Sequence, residues 1–298
     1  MERETLVTLL IMICGGMMLQ LLALWPQRRP GGADPVVRER QAWLALCRPA
    51  APILLWAAWF IGWALLEPDP VRDPLDPYVV VSLWLPFGVL FARAVVRALW
   101  SLAREPPECG VSTFGLLQPQ VAFSPFLARR LDEPVIHAAL AHERAHARHR
   151  DPLRIWLAQL ITDLQWPWPQ AQRRLSEWLE ALELARDEEA RREGVDGTDL
   201  AAAMLASVRY VSDLTPRQRT SLGGTQFAHA RLVGDPDSLR SRVSQLLKPL
   251  APASDAAPAA AVGLRRPLVL TLVVLLAVMA LGAAFGQLII RPLLALTT

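Results

Sequence analysis

Cysteine is scarce in this chain, and what there is stands apart. Cys14, Cys47 and Cys109 are the only three, with no CxxC pair and an odd total, which excludes a disulfide scaffold and a thiolate zinc site. Any metal must therefore rest on histidine and carboxylate. Net charge is small as well, +3 over 298 residues, too little to imply direct nucleic-acid binding. Charged residues make up 20% and apolar ones 53%, against about 25% and about 45–50% in an average soluble domain. Mean hydropathy is +0.26. These figures exclude a disordered chain, a collagen-like repeat and a charged coiled coil. They make a lipid bilayer the expected partner of part of the molecule.

Four apolar runs approach the roughly 20 residues that cross a bilayer. They are Leu6–Trp25, Pro49–Leu66 with Trp56, Trp59 and Trp63 at helical spacing, Pro77–Trp100 with Arg93 and Arg97 near its end, and the uncharged Pro267–Ile290. The first follows Glu2, Arg3 and Glu4 and has no small-x-small cleavage site, so it reads as a retained span rather than a signal peptide. Arginine sets the orientation. Arg28, Arg29, Arg38, Arg40 and Arg48 follow the first run, while Glu67, Asp69, Asp73 and Asp76 against Arg72 follow the second. Arg93, Arg97 and Arg104 leave the third run, and Arg265 and Arg266 enter the fourth. Positive loops stay in the cytosol, so the N-terminus is expected outside and the segment from about 101 to 266 inside.

The expected fold is mainly α: a polytopic membrane protein with four transmembrane helices and a mostly helical cytosolic domain with a small β element. The expected divisions are residues 1–100 (three spans), 101–248 (cytosolic domain), 249–266 (an Ala/Pro-rich linker), 267–290 (fourth span) and 291–298 (short external tail). Within the cytosolic part, Cys109–Pro125 reads as one or two short strands, and Ala128 to about Glu193 as helices broken at Trp166-Pro167-Trp168-Pro169. Further helices are expected at about Thr198–Leu214 and after Asp235-Pro236, the latter capped by Asp237 or Ser238. Leu153–Trp168, apolar on one face, is either a core helix or one lying in the membrane interface.

Four of the five histidines fall between His137 and His149, two of them in the string His142-Glu143-Arg144-Ala145-His146. On a helix, positions i and i+4 share a face, so both imidazoles can reach one ion while Glu143 stands beside the open coordination position as general base. Catalytic zinc commonly takes a third protein ligand. Glu183, one turn before Asp187, suits that role, with Asp187 accepting a ring N–H from a ligand histidine; Glu180 is the alternative ligand. Taken alone, the helix bearing Glu177, Glu180, Glu183, Arg186, Asp187 and Glu188 would read as an ordinary solvated face. The upstream motif reverses that reading. His137 and His149 read as surface or packing residues, and Asp151 as a brace at the helix end. Tyr210 and His229 are candidate oxyanion donors.

The string HERAHARHRD from His142 to Asp151, Trp168-Pro169 before a Trp178-bearing helix, and ELARD from Glu183 to Asp187 resemble the BlaR/MecR-type membrane zinc metallopeptidases, bacterial antirepressor signal transducers. Gly115-Leu116-Leu117-Gln118-Pro119 and Ser124-Pro125 resemble that family's lead-in. Arg186 stands where the family often has Cys, and Trp168 where it has Asn. The resemblance implies a gluzincin-like zinc endopeptidase in the bacterial plasma membrane, with one Zn2+ per chain. It also implies a cytosolic protein substrate, a DNA-binding transcriptional repressor, and self-cleavage as a further activity. Eight residues follow Ile290, where receptor members carry a penicillin-binding sensor, so the expected signal comes from a separate sensor protein. The competing expectations are a quality-control peptidase of the HtpX type and a non-catalytic zinc-binding membrane scaffold.

Overall fold

In the computed structural model, residues 34–65, 111–123, 129–165, 168–213, 236–250 and 265–295 are described, together with the single positions 18, 89, 92, 93, 95, 96 and 99. They are mainly helical, with one small antiparallel sheet. Helix α1 (Pro35–Cys47) passes through a 3-10 turn (Arg48–Ala50) into α2 (Ala51–Leu65). A hairpin of β1 (Val111–Phe114) and β2 (Gln120–Phe123) pairs Val111 with Phe123 and Phe114 with Gln120. Then follow α3 (Glu133–His149), α4 (Asp151–Leu164), α5 (Pro169–Arg192), α6 (Gly197–Asp213), α7 (Pro236–Leu246) and α8 (Arg265–Ala295).

Helix α5 is the axis of the helical unit. Pro169 starts it, in the first-turn position where the missing N–H costs nothing. From Ala181 to Glu188 every residue is buried, which a helix achieves only when neighbours cover all its faces. On one side Trp178, Ala181 and Leu182 form a core with Ala42 and Leu46 of α1 and Ile155 and Ala158 of α4. Trp178 is wholly buried there, and its truncation to Ala would cost about 3–5 kcal/mol. On the other side Ala190 joins Ala138 and Ala141 of α3, Leu200 and Ala201 of α6 and Leu246 of α7. Small residues at these positions let α3 approach α5 closely, and the seam between the two cores holds the polar cluster described below.

The strands, the break before Pro169 and the helices between residues 129 and 250 lie where the sequence pattern puts them, with two exceptions. Helix α7 already runs from Pro236, so Asp237 and Ser238 lie inside it instead of capping it. The expected connection after the first apolar run contains α1, which packs into the helical core. Its buried stripe is Pro35, Glu39, Ala42 and Leu46, too short of large apolar side chains to register as an amphipathic face. Asp34 caps it, with Oδ1 accepting from the Val36 N–H at 2.9 Å.

Leu153–Trp168, open between core and interface on sequence alone, contributes Ile155 and Ala158 of α4 to the core. The stretch Pro35–Trp59 is long and apolar enough, by length and composition, to cross a membrane, and Val269–Phe285 is a shorter apolar helix. Helix α2 packs along α8 at a mutual glycine contact. A Cβ on Gly62 would lie 1.8 Å from the Met279 carbonyl oxygen, and one on Gly282 2.1 Å from that of Trp59, so only glycine permits this approach. Away from α2, α8 exposes Leu270, Leu272, Val273, Leu276 and Leu288. The first apolar run apart from Met18, most of the third, and residues 251–264 of the linker lie outside the described residues.

Candidate metal centre

Helix α3 carries both histidines one turn apart, and β1 lies across the same helix: the single Thr113 Oγ1–H is shared between the Glu143 backbone oxygen (2.9 Å) and Glu143 Oε2 (2.8 Å). Helix α5 brings Glu183 up from beneath. The ligating atoms of His142, His146 and Glu183 all lie within 4.8 Å of one another. His142 Nε2 is 3.1 Å from His146 Nε2 and 3.5 Å from Glu183 Oε2, and His146 Nε2 is 3.7 Å from Glu183 Oε1. His146 and Glu183 are buried, and His142 is partly exposed, so the cluster opens to solvent on the His142 side.

The second nitrogen of each imidazole is already engaged. His142 Nδ1 lies 2.9 Å from Asp187 Oδ1, and His146 Nδ1 lies 2.8 Å from Asp151 Oδ2. Burial opposes ionisation of both aspartates, but arginine outweighs it. Arg242 and the His142 hydrogen bond hold Asp187 down at about 2, and Arg186 with the His146 hydrogen bond holds Asp151 well below the usual carboxylate range. An ionised carboxylate only accepts, so each Nδ1 turns its proton to its aspartate and each ring turns its Nε2 inward. Two lone pairs 3.1 Å apart repel unless a cation or a proton stands with them. Burial disfavours a charged His142, yet Asp187 and Glu183 raise it to about 10; the cluster calls for positive charge at this point. Around Arg242 the carboxylates of Glu143, Glu183 and Asp187 face a single guanidinium, so negative charge is in excess there. The donor set and the charge both fit a divalent metal ion.

Arginine forks brace each arm. Arg242 of α7 grips Asp187 through Nε (2.9 Å) and Nη2 (3.0 Å) and places Nη1 3.2 Å from Glu183 Oε2. Arg186 grips Asp151 through Nε (2.6 Å) and Nη2 (3.0 Å). Asp151 sits directly beneath His146 because Arg150 takes a left-handed conformation (φ 54°) and turns the chain sharply between α3 and α4.

His142, Glu143, His146, Glu183 and Asp187 thus come together as the motif spacing suggests. Glu180, half-buried on α5, is not part of the triad. His137 is exposed, and His149 pairs with Glu189 at 2.9 Å. Asp151, read as a brace for the helix end, orients His146 instead. The side chain of Tyr210 and the whole of His229 lie outside the described residues. Arg242, Arg154, Glu39 and Thr113 carry no sequence signal for a role here, since each lies on an element brought in only by packing. Arg186, which reads as a departure from a family pattern, is buried against Asp151. Comparison with protein-family profiles, with curated proteins and with solved structures returns no significant match.

Proposed function

We propose that the chain is an integral-membrane zinc-dependent endopeptidase that cleaves a cytosolic protein. The observation that carries this reading is the convergence of two Nε2 lone pairs and a buried glutamate, with a further glutamate, Glu143, on the next residue of the same helix. Two imidazoles and one carboxylate form the donor set of catalytic zinc sites that keep a position open. Bound zinc would polarise the scissile carbonyl and lower the pKa of a water.

The protein's own residues do the rest. Asp187 and Asp151 fix the tautomer and direction of both rings. Arg242 holds Glu183 Oε2 in place. Thr113 holds one oxygen of Glu143 and so sets the plane of the carboxylate. Glu143 takes a proton from the attacking water as its oxygen bonds to the carbonyl carbon, then passes that proton to the amine nitrogen as the C–N bond breaks.

Membrane residence rests on the apolar pair α2 and α8, the exposed leucines and valines of α8, and the arginine asymmetry of the four apolar runs. Four spans with the peptidase unit in the cytosol follow from that asymmetry. The resemblance to BlaR/MecR-type peptidases favours a transcriptional repressor as substrate.

Glu143→Gln in the full chain is the direct test. Zinc content should stay at the wild-type level while cleavage, followed as cytosolic fragments by proteomics, falls at least about 100-fold. Loss of zinc together with cleavage would give Glu143 a structural role and overturn the mechanism.

A further inference from the structure

The buried stripe of α1 contains one residue out of keeping with a core. Pro35, Ala42 and Leu46 are apolar or nearly so, but Glu39 shares their face and is 7% exposed. A carboxylate there is costly to bury without partners, and a methionine or leucine would pack the same position without that penalty. Its partners lead straight to the metal centre. Glu39 Oε1 accepts from Trp178 Nε1 at 2.9 Å and from Arg154 Nη2. Arg154 Nη1 in turn donates to Asp151 Oδ1 at 3.1 Å, and Asp151 Oδ2 holds His146 Nδ1. The Arg154 guanidinium lies beside two indoles, 5.1 Å from the Trp43 ring centre and 5.5 Å from that of Trp178, and its side chain is largely buried, so little water shares the task of balancing its charge.

Charge decides what this chain of contacts does. Asp151 meets two guanidinium groups, those of Arg186 and Arg154; Arg186 also meets Glu189 at 3.3 Å, but that carboxylate is shared with Arg148 and His149. Glu39 supplies the negative charge that Arg154 does not share with Arg186. Without it, a bare cation would remain buried one residue away from the histidine, drawing Asp151 off the ring and setting a positive field against any bound metal.

We infer that Glu39 is a positioning residue of the metal centre: by neutralising Arg154 it leaves the Asp151 carboxylate to His146 and so sets how tightly the centre holds a divalent ion. The inference rests on the metal-binding reading above. Because α1 continues through the 3-10 turn into α2, this counter-ion rides on the same stretch of chain as the apolar helix that packs against α8.

Titration of the chelator-stripped, detergent-solubilised full chain with Co2+, followed by its visible ligand-field bands, tests the inference. Glu39→Gln keeps the shape and the acceptor oxygen for Trp178 but removes the charge; its Co2+ affinity should fall about 3–10-fold, less than the loss expected for a group touching the ligand itself. Arg154→Met added to Glu39→Gln should bring the affinity back to within about twofold of wild type, since it removes the uncompensated cation. An unchanged affinity in Glu39→Gln, or a further fall in the double variant, would mean that Glu39 only packs, and the inference fails. Should Glu39→Gln not fold, Arg154→Met alone decides. It should bind Co2+ at least as tightly as wild type, and a tenfold loss overturns the inference. A wild-type chain that binds no Co2+ would overturn the metal reading itself, and this inference with it.

Discussion

The two histidines of the candidate metal centre are held by arms that look alike and are built differently. Each ring turns its Nδ1 to an aspartate, and each aspartate sits in an arginine fork. In the His146 arm, aspartate and histidine are five residues apart, joined through the sharp turn at Arg150. The arm is buried between α3, α4 and α5 and doubly braced by Arg186 and Arg154. In the His142 arm the aspartate comes from α5 and its arginine from α7, 55 positions further on. In that arm only His142 reaches partway to solvent, and the arm depends on an eleven-residue helix staying docked. The fixed arm provides a reference position, and the other arm depends on contacts between distant segments. Equivalent chemistry thus comes with unequal mechanical support.

Removing each aspartate should separate metal binding from stability. Asp151→Ala leaves Arg186 and Arg154 without their shared anion, and should cost about 3–5 kcal/mol. Asp187→Ala leaves Arg242 still beside Glu183, and should cost less, about 1–3 kcal/mol. Both should weaken zinc binding about 10–100-fold. Thermal unfolding of the metal-free variants, with competitive zinc titration, checks both expectations. Equal stability losses would mean that the arms are equally embedded.

A second break acts on the docking of α7 alone. A Cβ on Gly197 would stand 2.1 Å from the Leu246 carbonyl oxygen, so Gly197→Ala must push the end of α7 away. A loss of about 1–3 kcal/mol follows from such overpacking. Histidine NMR signals should move for His142, through Arg242 and Asp187, and stay in place for His146. Movement of both would show that the arms are coupled.

Acid should release the arms in order. Asp187 is depressed from 3.8 to about 2, so its contribution to stability is complete above about pH 4 and is lost as pH falls towards 2. Asp151, held lower still, keeps its share further into acid. In an acid titration of the metal-free protein, the His142 environment should therefore change before that of His146; simultaneous change counts against two independent clamps.

The smallest effect concerns the turn that makes the fixed arm local. Arg150 is exposed and holds φ 54°, a conformation that costs a residue with a side chain about 1–2 kcal/mol. Glycine would remove that strain and lose part of the gain to its freer unfolded chain, for a net stabilisation of about 0.5–1 kcal/mol. A drop in melting temperature for Arg150→Gly would mean that the arginine side chain contributes more than its backbone strain costs.

What the sequence determines by itself is whatever repeats within a helical turn or along a short run. The i,i+4 histidines, the Glu183–Asp187 spacing, the short strands between Cys109 and Pro125, and the break before Pro169 are local patterns, and short-range geometry gives them meaning without knowledge of neighbours. Apolar runs long enough for a bilayer belong to the same class. The tertiary structure decides the rest, because a buried charge is interpretable only through its partner. Arg186 and Glu188 read as a solvated face until α5 is found enclosed on every side. Glu39 sits in an arginine-rich stretch that reads as a connection until α1 packs it against Arg154 and Trp178. Arg242 reaches Asp187 and Glu183 only because Gly197 lets α7 come close enough. Periodicity can mark which residues face inward, but pairing across a core depends on contacts between segments tens of residues apart.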